Sequence, residues 1–194
     1  MPGRRGRCRG RSSCRTATLR VVTVLGDPAV SGDAAPARPV VPGRVESIHL
    51  APESGAPMTA VDRIRAVAGV GLEGDRYAER AGHWSPDPKV DRQLTLVAAE
   101  EIDRLAERFD IVLGPGETRR NVTTRGVDVN ALVGRRFRIG DVECEGTRLC
   151  EPCQYLTDLV GQPILEPLVH RAGLRARILT GGDIAIGDEV VALD

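Results

Sequence analysis

The sequence predicts a mainly β fold with a few helices, an α+β chain whose strands form a closed or partly closed barrel. Eight short extended runs recur along the chain, and glycine, proline, asparagine and aspartate separate them. Three stretches have helical spacing, and they do not alternate regularly with the strands. This order favours a barrel that carries helices over a layered parallel sheet.

The strands follow from short apolar runs bounded by turn-forming residues. Gly140-Asp141 is typical of a hairpin turn between two of these runs, and Gly187-Asp188 is typical of a turn into the last strand. The predicted strands cover residues 44–50, 63–68, 93–97, 121–124, 136–139, 142–145, 175–179 and 189–193.

The helices follow from a different spacing of apolar residues. The first is predicted over residues 98–109, a second follows Pro152, and a third runs over residues 164–171 with Gly173 as its C-cap. One face of the first helix is predicted to consist of Ala98, Ile102, Leu105, Ala106 and Phe109.

Composition predicts one folded domain over residues 43–194, preceded by a disordered extension over residues 1–42. The extension is rich in Arg, Pro, Gly and Ala and has no aromatic residue. The 27 basic and 27 acidic residues balance, so no net field favours nucleic acid or a membrane. An odd number of cysteines, five, fits a reducing cytoplasm better than a disulfide framework.

A glycine-rich segment over residues 69–74 matches the G-x-G-x-x-G pattern of dinucleotide-binding proteins. That pattern requires a long helix directly afterwards, and Gly82 interrupts the sequence too early for one. We therefore interpret the segment as a turn that delivers Asp75, Arg76 and His83 to a site or to the surface.

Two cysteines, Cys150 and Cys153, bracket Pro152 ahead of a predicted helix. Cys153 is expected in the first helical turn, where free N–H groups and the helix dipole stabilise a thiolate. Such a thiolate is a nucleophile, a sulfur carrier or a ligand for a soft metal. Two alternatives are a thioredoxin-like dithiol and a zinc site in which Cys144 and His170 join the pair.

Basic and hydroxyl side chains surround Asn121 in the segment 117–128. Arginine forks suit phosphate groups, and Asn and Thr add hydrogen bonds. Together with Arg148 this segment predicts a site for an anionic cofactor, and the alternative is a solvated strand edge. Lys89 is the sole lysine and lies in a polar segment, so a pyridoxal-phosphate enzyme is disfavoured.

Five segments of the sequence, taken in order, carry a resemblance to a known family: residues 74–77, 92–100, 120–128, 132–140 and 149–153. Together they resemble the MOSC domain, named for the C-terminal domain of molybdenum cofactor sulfurase. The resemblance extends over residues 43–193, and it implies a MOSC-type β-barrel that binds molybdenum cofactor (molybdopterin) with Cys153 as the metal ligand and catalytic thiol. The cofactor-binding residues that the resemblance implies are Asp75, Arg119, Asn121, Thr123 and Arg148.

The resemblance implies a molybdenum-dependent oxidoreductase that reduces small N-hydroxylated compounds with electrons from a partner redox protein. The alternative is a sulfur-carrier module, in which Cys153 accepts sulfur from a donor and passes it as a persulfide to molybdenum cofactor or a metal–sulfur cluster. Neither function requires nucleic acid or a membrane, and the pyridoxal-phosphate domain of the sulfurase itself is not expected here.

Overall fold

The computed structural model describes residues 42–85 and 90–193 and is built mainly of strands. Two α-helices lie in these ranges, α1 (Ala99–Phe109) and α2 (Gln154–Val160). The strands described are β1 (Gly43–Leu50), β2 (Thr59–Val61), β3 (Arg63–Val67), β4 (Gly71–Leu72), β5 (Leu94–Ala98), β6 (Val122–Arg125), β7 (Arg136–Ile139), β8 (Val142–Leu149), β9 (Leu174–Ile178), β10 (Gly182–Ala185) and β11 (Glu189–Ala192).

Seven strands close into a barrel in the order β11-β7-β8-β9-β5-β6-β1. Pairing of β1 with β11, in which Gly43 is opposite Val190, completes the ring. Strand β2 extends β1 outside the ring, and β10, β3 and β4 form a separate small sheet. Among the pairings described, β5–β6 is parallel, and α1 lies in the connection between these two strands. The predicted barrel is confirmed.

The barrel interior is filled by apolar side chains that alternate along the strands. In β8, Val142, Cys144 and Gly146 are buried while the residues between them are partly exposed, as the two-residue period of a strand requires. Phe137 on β7 is fully buried in the same core. A second, smaller core under α2 contains Leu105, Ile111, Leu156, Ile164, Leu168 and Ala172.

All eight predicted strands overlap observed strands, and α1 begins one residue later than predicted. Its predicted face is only partly right, because Leu105 is buried and Ile102 half-buried while Ala106 and Phe109 are exposed. Three short strands, β2, β4 and β10, were not predicted. Both predicted turns, at Gly140-Asp141 and Gly187-Asp188, are present.

The predicted third helix over residues 164–171 is wrong, because this segment forms turns instead. Pro167 has no N–H to donate in a helical ladder, and its ring disfavours helical backbone at Glu166. One i−4 bond forms, from Leu168 N to Ile164 O at 3.2 Å, and the segment then closes with an i−3 bond from Arg171. The segment still buries Ile164 and Leu168 against α2.

The ranges that the structure describes hold no helix long and apolar enough to cross a membrane. The predicted extension over residues 1–42 falls, apart from Pro42, outside the described residues, and so does Lys89. The proposed disorder and the role of that lysine therefore stay predictions.

Candidate functional site

A cleft with a volume of about 60 Å³ lies between the barrel and α2. Six parts of the chain converge on it: the β1–β2 loop, the β4–β5 connection, strand β5, the residues before β6, the β8–α2 loop with α2, and strand β9. Both Cys150 and Cys153 line it. The two thiols therefore share one concave site with side chains that are distant in the sequence.

The cysteine loop is held by the backbone around Cys150. Cys150 is buried, its N–H donates to the Gly173 carbonyl at 2.7 Å, and its own carbonyl accepts from Arg120 at 2.9 Å. Cys153 is half-buried and has extended backbone (φ −145°, ψ 163°), so α2 begins only at Gln154. The prediction that Cys153 lies in the first helical turn is thus wrong by one residue, because this residue is the N-cap.

Four arginines, Arg76, Arg119, Arg120 and Arg175, line the cleft and make it cationic. Burial, and then the neighbouring Arg76, lower the pKa of Arg119, whose guanidinium donates to the Ala56 carbonyl. The Nε atom of Arg175 is buried and has no hydrogen-bond partner among the described residues. A cleft with this many cationic groups and an unsatisfied N–H is suited to an anionic ligand.

Each of the three side-chain nitrogen atoms of Arg120 donates to a backbone carbonyl. Its guanidinium donates to Ala172 O at 2.7 Å, to Thr118 O at 3.1 Å and to Cys150 O at 2.9 Å. This side chain therefore ties the segment before β6 to the cysteine loop and to the segment before β9, while its charge adds to the field in the cleft.

Asp75 and Asn121, both predicted to bind cofactor, lie together in a buried hydrogen-bond network. Asp75 accepts from Asn121 Nδ2 at 3.0 Å and from Arg76 at 3.1 Å, and its other oxygen accepts from Tyr77 N at 3.2 Å. Asn121 Oδ1 accepts from the Thr95 hydroxyl at 2.8 Å. Because these groups are satisfied by one another, the network orients Arg76 toward the cleft and forms the wall behind it.

Of the other three predicted site residues, one lines the cleft and two do not. Arg119 lines the cleft, whereas Thr123 is buried in β6 opposite Val97, and neither Thr123 nor Arg148 is among the residues that line it. The Arg148 side chain is about half exposed and forms an ion pair with Asp91. Of the three residues that the glycine-rich turn was interpreted to deliver, Arg76 and His83 line the cleft, whereas Asp75 lies in the buried network behind it.

Sequence reasoning missed Arg120 and Arg175 as site residues, and it also missed an aromatic rim at the mouth of the cleft. His83 stacks on Tyr155 with ring centroids 4.0 Å apart, and Trp84 meets His83 edge-on at 4.7 Å. The sequence has one Trp and two Tyr, and this scarcity was the available signal that the few aromatic residues could belong to a site.

The zinc alternative finds no support within residues 42–85 and 90–193, where no three His, Cys, Asp or Glu side chains are grouped as metal ligands. Cys144 lies inside the barrel, and burial raises the pKa of its thiol to about 12. His170 instead contacts Glu151, with Nδ1 and a carboxylate oxygen 2.7 Å apart.

Comparison with known proteins gives one family and several similar folds. Residues 47–191 match the MOSC domain. The YuaD protein from Bacillus subtilis is 20% identical. The match covers 77% of this chain and 94% of the YuaD chain, with a TM-score of 0.66. YiiM from Geobacillus stearothermophilus is 17% identical. The match covers 79% of this chain and 76% of that protein, with a TM-score of 0.61.

YiiM from Escherichia coli is also similar, at 18% identity. The match covers 79% of this chain and 70% of that protein, with a TM-score of 0.56. At these identities the three structures support the fold alone. A search of the curated proteins gives no significant match. Because the family match spans most of the sequence and coincides with the barrel and the cysteine loop, the chain belongs to the MOSC domain family, which is associated with the molybdenum cofactor.

Proposed function

We propose that this protein binds molybdenum cofactor in the cleft and reduces N-hydroxylated compounds with electrons from a partner protein. The observation that carries the proposal is a half-buried thiol, Cys153, in a cleft lined by four arginines. A soft thiolate is a suitable ligand for molybdenum, and the arginines complement an anionic pterin phosphate.

The side chains present fit such a group. Cys153 would provide the metal ligand, while Arg119 and Arg175 would face the anionic part of the cofactor. The unpartnered Nε of Arg175 is an N–H group that an anionic oxygen would satisfy. Arg76 donates to protein acceptors from two of its nitrogen atoms and Arg120 from all three, so we assign them to positioning and to the electrostatic field. Arg119 donates from one nitrogen atom, to the Ala56 carbonyl, which leaves its other N–H groups for the cofactor.

The bound cofactor would supply the two-electron redox chemistry. The overall reaction breaks the N–O bond, consumes two electrons and two protons, and releases the reduced nitrogen compound and water. The protein orients the substrate in the cleft and keeps the cationic groups in place. The electrons would come from a separate redox protein.

We expect Cys153→Ala to lose bound molybdenum. The native protein, produced in a host that makes molybdenum cofactor, should contain molybdenum at near-stoichiometric level by plasma mass spectrometry. The matched control is Cys144→Ala, which removes a thiol from the barrel interior and leaves the cleft intact. This control should keep its molybdenum. Full metal occupancy in Cys153→Ala would contradict the proposal.

A second candidate function is sulfur transfer, and the observation that favours it is the presence of two free thiols in the same cleft. Cys153 would carry the sulfur as a persulfide to molybdenum cofactor or to a metal–sulfur cluster. Cys150 is more deeply buried and is held by its backbone.

For the sulfur carrier, we expect sulfane sulfur on Cys153 in protein that contains no molybdenum. The measurement is intact-mass spectrometry before and after cyanide treatment, which removes sulfane sulfur. Persulfide on the native protein and on Cys150→Ala, with none on Cys153→Ala, would favour the carrier. Stoichiometric molybdenum with no persulfide would favour the reductase.

A further inference from the structure

The cleft that holds Cys153 is smaller than the ligand proposed for it. Its volume is about 60 Å³, whereas pockets that bury a small organic ligand usually have volumes of about 300–1,000 Å³. A groove of about 300 Å³ lies next to the cleft, and Arg119 and Leu159 line both spaces. The cleft therefore admits such a ligand only if the wall between it and the groove moves.

The β1–β2 loop separates the two spaces. Ser54 lines the cleft, whereas the groove is lined by three residues that follow in the same loop, Gly55, Pro57 and Met58. The tip of the loop, residues 52–55, is exposed throughout. Exposed loop segments open at a low cost in free energy, so this part of the wall is suited to move.

A hydrogen bond and a ring stack fasten this region to α2, and both end on the Tyr155 side chain. The hydroxyls of Ser54 and Tyr155 are 2.8 Å apart. The His83 and Tyr155 rings are 11° from parallel, with centroids 4.0 Å apart. Ser54 N donates to Ala81 O at 2.9 Å, so the loop is also joined to the segment that carries His83. One side chain of α2 therefore holds two loop segments at the mouth of the cleft.

We infer that the Ser54–Tyr155 hydrogen bond is a latch, and that its opening joins the cleft and the groove into one binding site for an anionic organic ligand. Arg119 lines both spaces, so it lies within the joined site. Its guanidinium donates to the Ala56 carbonyl from one nitrogen atom, which leaves its other N–H groups for an anion. The inference rests on the proposed function for the identity of the ligand, and it adds the residues that control entry.

The latch is tested by the access of two reagents to the Cys153 thiol, in the full chain produced by a host that lacks molybdenum cofactor. Iodoacetamide is small, whereas fluorescein maleimide is larger than the closed cleft. Both react with the thiolate, so the ratio of the maleimide rate to the iodoacetamide rate cancels any change in the thiolate fraction. Fragment mass spectrometry of the labelled peptide distinguishes Cys153 from Cys150.

Loss of the latch should raise the maleimide rate without raising the iodoacetamide rate. Tyr155→Phe and Ser54→Ala each remove one hydroxyl of the same hydrogen bond, so each should raise the ratio about fivefold. The double variant should match the single variants, because all three lack the same bond. The matched control is Gln154→Ala, which removes an exposed hydrogen bond to Asp158 within α2 and should keep the native ratio.

The groove is tested by filling it. Pro57→Trp places a large side chain on the wall of the groove, outside the cleft, and in the Tyr155→Phe protein it should return the ratio to the native value. A native ratio in both Tyr155→Phe and Ser54→Ala would overturn the latch. A raised ratio that Pro57→Trp does not lower would overturn the joined site.

These outcomes are distinguishable from failure of the proposed function. A ratio that depends on the latch, in a protein that contains no molybdenum even when its host makes the cofactor, would keep the latch and reject the cofactor. Near-stoichiometric molybdenum in the native protein, with a ratio that neither latch variant changes, would keep the cofactor and reject the latch.

Discussion

Replacing Gly173 with alanine is expected to destabilise the protein by roughly 3–5 kcal/mol, the largest effect of any single methyl group that we can name. Gly173 has φ +108°, which an L side chain rarely adopts. A Cβ at this position would lie 1.9 Å from the Leu96 carbonyl oxygen, a backbone atom that cannot rotate away. Strain and overlap therefore add at the same residue.

The measurement is the urea midpoint of Gly173→Ala against the native chain. Gly69→Ala is the matched control, because its φ is +73° and a Cβ there has no neighbour within 4 Å. We expect the control to lose only about 1–2 kcal/mol from strain. Equal losses in the two variants would show that the overlap with Leu96 is relieved at no cost, contrary to this prediction.

The second large effect is expected at Arg120, where methionine should destabilise the fold by about 3 kcal/mol. The side chain is 7% exposed and donates to three backbone carbonyls. Methionine fills similar space but leaves these carbonyls without their donor. Removing the cost of a buried charge offsets part of the loss, which keeps the expected effect below the sum of three hydrogen bonds.

The control for this prediction is Arg177→Met on β9. Arg177 is exposed and pairs with Glu145, so its loss should cost less than about 1 kcal/mol. Both variants are compared by urea denaturation at neutral pH. A midpoint for Arg120→Met within the range of the control would mean that water replaces the guanidinium at the three carbonyls.

Both predictions concern the same structural element, the loop that carries the two cleft cysteines. Gly173 accepts the Cys150 N–H and Arg120 donates to the Cys150 carbonyl, so one residue is held from both sides. Neither contact involves the thiol. The loop geometry is therefore set by backbone hydrogen bonds, and Cys150 and Cys153 are presented to the cleft on a rigid support.

Local patterns predicted most of the strands because they depend on neighbours in the sequence. The turns at Gly140-Asp141 and Gly187-Asp188 require particular backbone angles, and apolar runs between such turns favour extended chain. The segment 164–171 failed because apolar spacing was weighed without the missing N–H of Pro167. The short strands β2, β4 and β10 have weak local signals and exist through pairing with neighbours.

Membership of the site was harder to predict. Cys153 and Arg119, chosen by residue type and context, line the cleft, as do Arg76 and His83 from the glycine-rich turn, and the roles assigned to them stay predictions. Asn121 was recognised as a central polar residue, yet its partner Asp75 is 46 residues away, and their mutual contact turns a predicted ligand pair into a supporting network.

The sequence by itself determined the position of eight strands and of the turns at Gly140-Asp141 and Gly187-Asp188, which cysteine follows the proline, and that the chain resembles the MOSC family, since each depends on local residue order. Tertiary structure alone decided that β1 closes on β11, that Arg148 pairs with Asp91, and that Arg175 and Tyr155 share a cleft with Cys153. The physical reason is that barrel closure and strand register bring distant residues together, and hydrogen bonding then decides which of them are free to meet a ligand.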